Sequence, residues 1–322
     1  MEASSETTKK LSPCDVAALE KCLKEHKGDH KKCMEETGVE IVRSASDASA
    51  PPPSRDTVAA VAEGVKSEAA KVGYMFSQKN LPESVAGESL IAGLRDTATT
   101  LCMLFAAAAS GGGPTLRKSL EDTINKVIEP IIELIKAVAA AHLVDPQPAA
   151  AAAVPQRAGL VMERCDIAAK APLDDRTAIG RALTSVARQL ADAASELAEE
   201  LAGDNDGIEN DQKEVISAAL HVIQAAGNVI RATMRELLSV DASPNQNGEV
   251  WESILFHGKQ LAGAVDDLAI ASYSSEDKED VRGSAEAVVT GCQLIAEEVT
   301  GEAVSERVAA VEEAGEKLMS LV

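Results

Sequence analysis

From about residue 56 to the C-terminus, apolar side chains recur at steps of three and four residues, the spacing of one face of an α-helix. The clearest stripe follows Gly111-Gly112-Gly113 and Pro114-Thr115: Leu116, Leu120, Ile124, Val127/Ile128, Ile131, Leu134/Ile135 and Val138. Pro130 lies inside this predicted helix, where it removes a backbone donor and crowds the preceding turn, so a kink is expected. Before it, the pattern predicts a helix capped by Asp56 or Thr57. This one carries Val58, Val61, Val65, Val72 and Phe76 on one face and ends at Asn80-Leu81-Pro82. A second helix over 84–109 would use Val85, Ile91, Leu94, Ala98, Leu101 and Phe105.

After Asp145-Pro146-Gln147-Pro148, the run AAAAAVPQR is a linker candidate, although alanine runs are also good helix formers. A short helix over 159–170 follows. Asp174 or Asp175 then caps a long helix with Ile179, Leu183, Val186, Leu190, Ala194, Leu197 and Leu201. Further helices are expected over 212–240, 249–272 and 281–299. The step from Val299 to Val304 fits neither three nor four, so Gly301 marks a break before the last helix. No strand-length alternation competes. The expected fold is all-α, a multi-helix bundle read as two sub-bundles, 51–145 and 155–322, behind a partly disordered N-terminal segment, 1–50.

Composition sharpens this picture. Apolar residues make up 45% of the chain, yet aromatics only 2%. Ala, Val, Leu and Ile must therefore fill the interior, which suits closely packed helices. The formal charge of −21 argues against direct nucleic-acid binding, which needs a clustered basic surface. It argues equally against an anionic membrane surface. The opening MEASSETTKKLSPC is polar, and no uninterrupted apolar run approaches the ~20 residues of a membrane span. Cys102, Cys165 and Cys292 fall within apolar helical patterns and read as small buried hydrophobes in a reducing compartment. These features together suggest an intracellular soluble protein.

Residues 1–50 are unlike the rest, and Pro51-Pro52-Pro53 with its Ser/Ala flanks reads as a stiff linker. On one helix Cys22, His26, His30 and Cys33 would lie near one face, and both residue types ligate zinc. Gly28-Asp29 suggests a turn between them, and a single helix offers no second wall, so no metal is assigned. Catalytic constellations are not apparent. Gly111-Gly112-Gly113 lacks the Lys-Ser/Thr of a phosphate cradle and reads as a helix-ending turn. His142, His221 and His257 are isolated, and pairs such as Glu199-Glu200, Asp266-Asp267 and Glu297-Glu298 read as solvated faces. No cofactor is expected. Arg117-Lys118 are notable among few basic groups: ordinary surface charge, unfavourable at a helix start, or a contact for an acidic partner or another helix.

Two resemblances add to this reading. Cys22-Leu23, Gly28-Asp29 and Lys32-Cys33 look like the centre of a CHCH-type helical hairpin, a family in which four cysteines form two disulfides in the mitochondrial intermembrane space. The match is truncated: seven residues rather than nine stand between Cys14 and Cys22, and Arg43 is found where a fourth cysteine is expected. From about Lys66 onward the chain resembles the GCIP family of cyclin-D-interacting proteins. The resemblance rests on Phe76-Ser77 with Leu81-Pro82, Gly113-Pro114-Thr115-Leu116-Arg117-Lys118, and Val161-Met162-Glu163-Arg164-Cys165 with Pro172. It continues through the acidic turn over 204–210 and Val265-Asp266-Asp267-Leu268 with Tyr273. Tyr273-Ser274-Ser275 departs from the expected Tyr-Pro-Pro.

The GCIP resemblance implies a bundle related to vinculin and talin rod domains, without enzymatic activity. It implies binding of D-type cyclins and helix-loop-helix regulators, and restraint of the cell cycle from the cytoplasm and nucleus. No compact binding motif comes with it. Arg117 and Lys118 are the partner-contact candidates, and a mitochondrial CHCH-type protein or a rod-like scaffold are the alternatives.

Overall fold

The computed structural model describes residues 52–322, apart from 79–81, 143–147, 204–209, 240–247, 274–277 and 300. The expectations for the N-terminal segment, including its metal-ligand set, its CHCH-like hairpin and its disorder, lie outside these residues. All regular structure among the described residues is helical. In order, the helices are α1 Arg55–Met75, α2 Ser84–Ser110, α3 Pro114–His142, α4 Pro148–Ala168, α5 Asp175–Ala202, α6 Asn210–Ser239, α7 Gly248–Ser272, α8 Lys278–Glu298 and α9 Glu302–Met319. The all-α expectation holds.

The chain divides into two compact units. One contains α1, α2, α4 and α3 from Glu121 onward; the other contains Gly112–Leu120 and everything from Ala171. In the first unit α1 packs against both α2 and α4. Ser54, rather than Asp56 or Thr57, caps α1: its side chain accepts from the Thr57 amide at 3.1 Å. The buried face of α1 is Val58, Ala62, Val65, Ala69, Val72 and Gly73, whereas Val61 and Phe76 are only half-buried. Alanine and glycine turn inward because α4 comes close: a Cβ built on Gly73 would lie 2.6 Å from the Cβ of Ala158.

The alanine run after Pro148 is helical. It forms the front of α4, which continues through Pro155 and buries Val154, Ala158, Val161, Cys165 and Ala168 at four-three spacing. A polar tie accompanies this seam, with Lys66 Nζ 2.8 Å from Asp166 on α4 and 2.9 Å from Glu63 on its own helix. In α2, Leu94, Ala98, Leu101 and Phe105 are buried as expected, but Val85 is 80% exposed and belongs to no core face. Helix α3 continues through Pro130, which is buried together with Val127, Ile131, Leu134 and Val138.

Among the described residues the second unit is a five-helix bundle. Contacts run round a ring from α5 to α6, α9, α8, α7 and back to α5, with α6 also touching α7 and α8. Asp174 caps α5, its two carboxylate oxygens accepting from the Thr177 amide at 2.7 Å and the Thr177 hydroxyl at 2.8 Å. The core is aliphatic, with Leu183, Leu190, Ile223, Ile230, Val265, Val288 and Val311 among its members, and Trp251 packs against it from the side. The break at Gly301 is real: α8 ends at Glu298, and Gly301 sits at the N-cap of α9.

Averaged along their length, two helices are long and apolar enough to cross a membrane, α2 over Val85–Ser110 and α6 over Asn210–Leu238. Polar residues interleave with the apolar ones in both, so neither contains an unbroken apolar run of that length. In α6 the apolar residues face the bundle core, while Gln224, Asn228 and Arg231 point outward.

Candidate functional site

In the turn that precedes Arg117 and Lys118, the surroundings of Gly112 and Gly113 leave little room for side chains, whereas Gly111 is open. A Cβ on Gly112 would lie 2.6 Å from Cδ2 of the buried Leu116, whose side chain would have to shift. A Cβ on Gly113 would lie 2.9 Å from a Glu252 carboxylate oxygen and 3.2 Å from Oδ1 of Asp175. These two acids occupy the start of α3. The Gly113 amide donates to Asp175 Oδ1 at 2.7 Å, the Thr115 amide to Glu252 Oε1 at 3.0 Å, and the Thr115 hydroxyl to Glu252 Oε2 at 2.7 Å.

A helix start has unpaired amides and the positive end of the backbone dipole, and is therefore an anion site by construction. Here the anions are the protein's own carboxylates, from α5 and α7. The triple glycine is a docking turn, filled from within. Leu116 and Leu120, which group with the unit that supplies those acids, are buried, while Arg117 and Lys118 lie on the exposed side of the helix. Neither cation has an ion-pair partner among the described residues.

The other chemically interesting groups are dispersed. His221 is exposed on α6. His257 is half-buried on α7, and its Nδ1 is enclosed without a hydrogen-bond partner, as is the hydroxyl of Thr233. His142 closes α3. Glu298 accepts from the Ser253 hydroxyl at 2.7 Å and so ties α8 to α7. Among the described residues no three His, Cys, Asp or Glu side chains gather as metal ligands do.

Cys102, Cys165 and Cys292 are buried free thiols. Burial pushes them up to about 11, 12 and 12 respectively, with the charge of Asp166 adding to the effect at Cys165. They pack as small apolar groups, as their sequence context suggested.

Asp175 and Glu252 were not visible as partners of the glycine turn in the sequence. They lie 62 and 137 residues from the groups they bind, and no local spacing announces such a contact. The only usable signal was that the glycines precede a helix whose first turn has no acid of its own.

Residues 57–203 match a family model described as Grap2 and cyclin-D-interacting, N-terminal, a span running from the first turn of α1 to the end of α5. No curated protein matches the chain. The match contains the glycine turn, Arg117-Lys118, the α1–α4 seam and the Asp174 cap. Over residues 57–203 this chain is therefore similar to the N-terminal domain described as Grap2 and cyclin-D-interacting.

Proposed function

We propose that the chain is a non-enzymatic interaction protein that binds D-type cyclins and helix-loop-helix regulators. It restrains cell-cycle progression or transcription from the cytoplasm and nucleus. The observation that supports this is the domain match over residues 57–203, whose family is described by interaction with Grap2 and cyclin D. The helical architecture is compatible with it, because a bundle offers helix faces and grooves to a partner helix rather than a chemical cleft. Arg117 and Lys118 are the named contacts, since they stand exposed on a clamped helix start and form no ion pair among the described residues.

The test is a pull-down with the full chain against a D-type cyclin, Grap2 and a panel of helix-loop-helix proteins, alongside Arg117→Glu/Lys118→Glu. The expected result is retention of cyclin, with at least about a tenfold loss in the double variant, the scale of two desolvated charge contacts. Circular dichroism should show the variant folded, with like charges at i,i+4 against Glu121 and Asp122 costing only about 0.2–0.5 kcal/mol each, so that a loss of binding is read as a lost contact. If no cyclin or regulator is retained while cytoskeletal proteins are, the chain is a rod-like scaffold instead. Should the double variant bind as wild type does, the two cations lose their role and the family-based reading stands.

A further inference from the structure

Where α5 begins and α6 ends, the charge is opposite to that of the molecule. Over 176–191 and 224–239 the sequence holds five arginines, Arg176, Arg181, Arg188, Arg231 and Arg235, against one acid, Glu236, in a chain of net charge −21. That acid is turned elsewhere: a Cβ on Gly301 would lie 2.9 Å from its carboxylate, and the preceding Asp175 already accepts from Gly113. The two helices run antiparallel. Arg176 donates to the Leu238 carbonyl, and a Cβ on Gly258 would lie 3.3 Å from Cδ2 of Leu183 and 3.8 Å from Cδ1 of Ile230. In that register, at about 1.5 Å per residue, Arg188, Arg231 and Arg235 fall within about 14 Å along the helix axes. The Arg231 guanidinium folds over Gly227, 3.4 Å from where a Cβ would stand, and donates to the neutral Asn228 side chain at 3.0 Å. All three arginines are exposed, and none forms an ion pair among the described residues.

The chemistry beside these cations narrows what they bind. Arg231 forms the rim of an open groove of about 280 Å³ between the two helices, lined also by Leu190 and Ile223. Leu238, one turn beyond Arg235 on α6, is 56% exposed. A ligand for this face therefore needs an apolar side as well as anions. Guanidinium groups match carboxylates with two parallel hydrogen bonds, which an ammonium cannot do, and the cations here are all arginine. Single-stranded nucleic acid needs aromatic platforms, and neither stretch contains Phe, Tyr or Trp. We infer that this face docks an acidic amphipathic helix of a partner protein. Its apolar side lies along the α5–α6 groove and Leu238, and its carboxylates, spread over about two and a half turns, meet Arg188, Arg231 and Arg235. In physiological salt, charges are screened over about 8 Å, so such a helix responds to these arginines rather than to the acids of distant helices. The inference uses neither Arg117 nor Lys118 and does not rest on the cyclin reading.

The experiment is fluorescence anisotropy on the full chain at physiological salt. The probe is a fluorescein-labelled peptide of three Leu-Glu-Ala-Leu-Glu-Glu-Ala repeats. Saturable binding is expected, and it should be lost when Gln replaces Glu in the peptide. Arg231→Glu/Arg235→Glu should weaken binding about tenfold or more, the scale of two reversed charge contacts. The same peptide with Lys in place of Glu should bind that double variant more tightly than wild type. Circular dichroism checks that the double variant keeps its helices. Should it unfold, Arg188→Glu on the other helix carries the test, with at least about a threefold loss expected. Arg117→Glu/Lys118→Glu should bind the acidic peptide as wild type does. Absence of binding, unchanged binding by the folded charge-reversed variants, or an equal loss in Arg117→Glu/Lys118→Glu would each overturn the inference. So would poly-uridine RNA or phosphatidylserine vesicles that bind more tightly than the peptide and are lost in the same variants, since the face would then belong to those ligands.

Discussion

At Glu252 a single side chain holds two groups of another element, the Thr115 amide and hydroxyl. Its removal leaves the half-buried Thr115 amide and hydroxyl without their acceptor while Asp175 still holds Gly113, and losses of this kind cost about 1–2 kcal/mol. Urea unfolding of Glu252→Ala should show that cost, and Glu252→Gln, which keeps one acceptor, should show less. Equal stability of Glu252→Ala and wild type would mean that water replaces the clamp. The thiols provide a second residue-scale expectation. Cys102, Cys165 and Cys292 are raised to about 11, 12 and 12 by burial. The folded state therefore holds their protons more tightly than the unfolded chain does. Their contribution to stability is complete below the unfolded thiol value of about 8.5 and drains away as pH rises through the folded values. At pH 8 mass-spectrometric mapping with iodoacetamide should find these three unlabelled in the native chain and labelled in urea. Rapid labelling of Cys165 in the native chain would show that the α1–α4 seam opens.

Between elements, stability turns on how closely helices approach. At Gly73 the backbones of α1 and α4 are near enough that an added methyl would collide with Ala158. Gly73→Val should therefore cost more than helix propensity returns, about 1–3 kcal/mol of overpacking, measurable as a lowered urea midpoint. Val85 is the contrasting case. It falls on the expected apolar face of α2 but stands 80% exposed. Val85→Ser should accordingly change stability by no more than about 0.5 kcal/mol in the same urea titration. A large loss there would show that something covers this end of α2 in solution. How much of these elements was legible follows from the same cases. The four-three spacing found the helices and most of their large buried residues, Leu94, Leu120 and Leu183 included. It could not rank Ala62 above Val61, because two adjacent small residues both satisfy the period and only the distance to α4 selects between them.

At the scale of the molecule, the residues forming each unit are not contiguous. Gly112–Leu120 belongs with the helices after Ala171, and α4 belongs with α1. A fragment beginning at Ala171 thus lacks Leu116 and Leu120, both nearly fully buried, and leaves Asp175 and Glu252 without the amides they accept from. Each buried leucine is worth about 1.5–3 kcal/mol. Followed by the fluorescence of Trp251, the single tryptophan, the fragment should unfold at lower urea than the same helices do in the full chain. An unchanged midpoint would show that the borrowed segment adds nothing to that core.

The helices were determined locally. Apolar period, the aspartate that caps α5 and the break at Gly301 act over a few residues and can be read without knowing what lies across the fold. So can the preference for an aliphatic, alanine-rich interior. The tertiary structure decided what local period cannot contain. It placed carboxylates from α5 and α7 at the start of α3, and set Ala158 of α4 against Gly73 of α1. It also faced Val85 outward and set Arg117 and Lys118 on the free side of a clamped helix. Each of these depends on which surface a helix meets, and that surface comes from residues far away in the chain, up to 137 positions at Glu252.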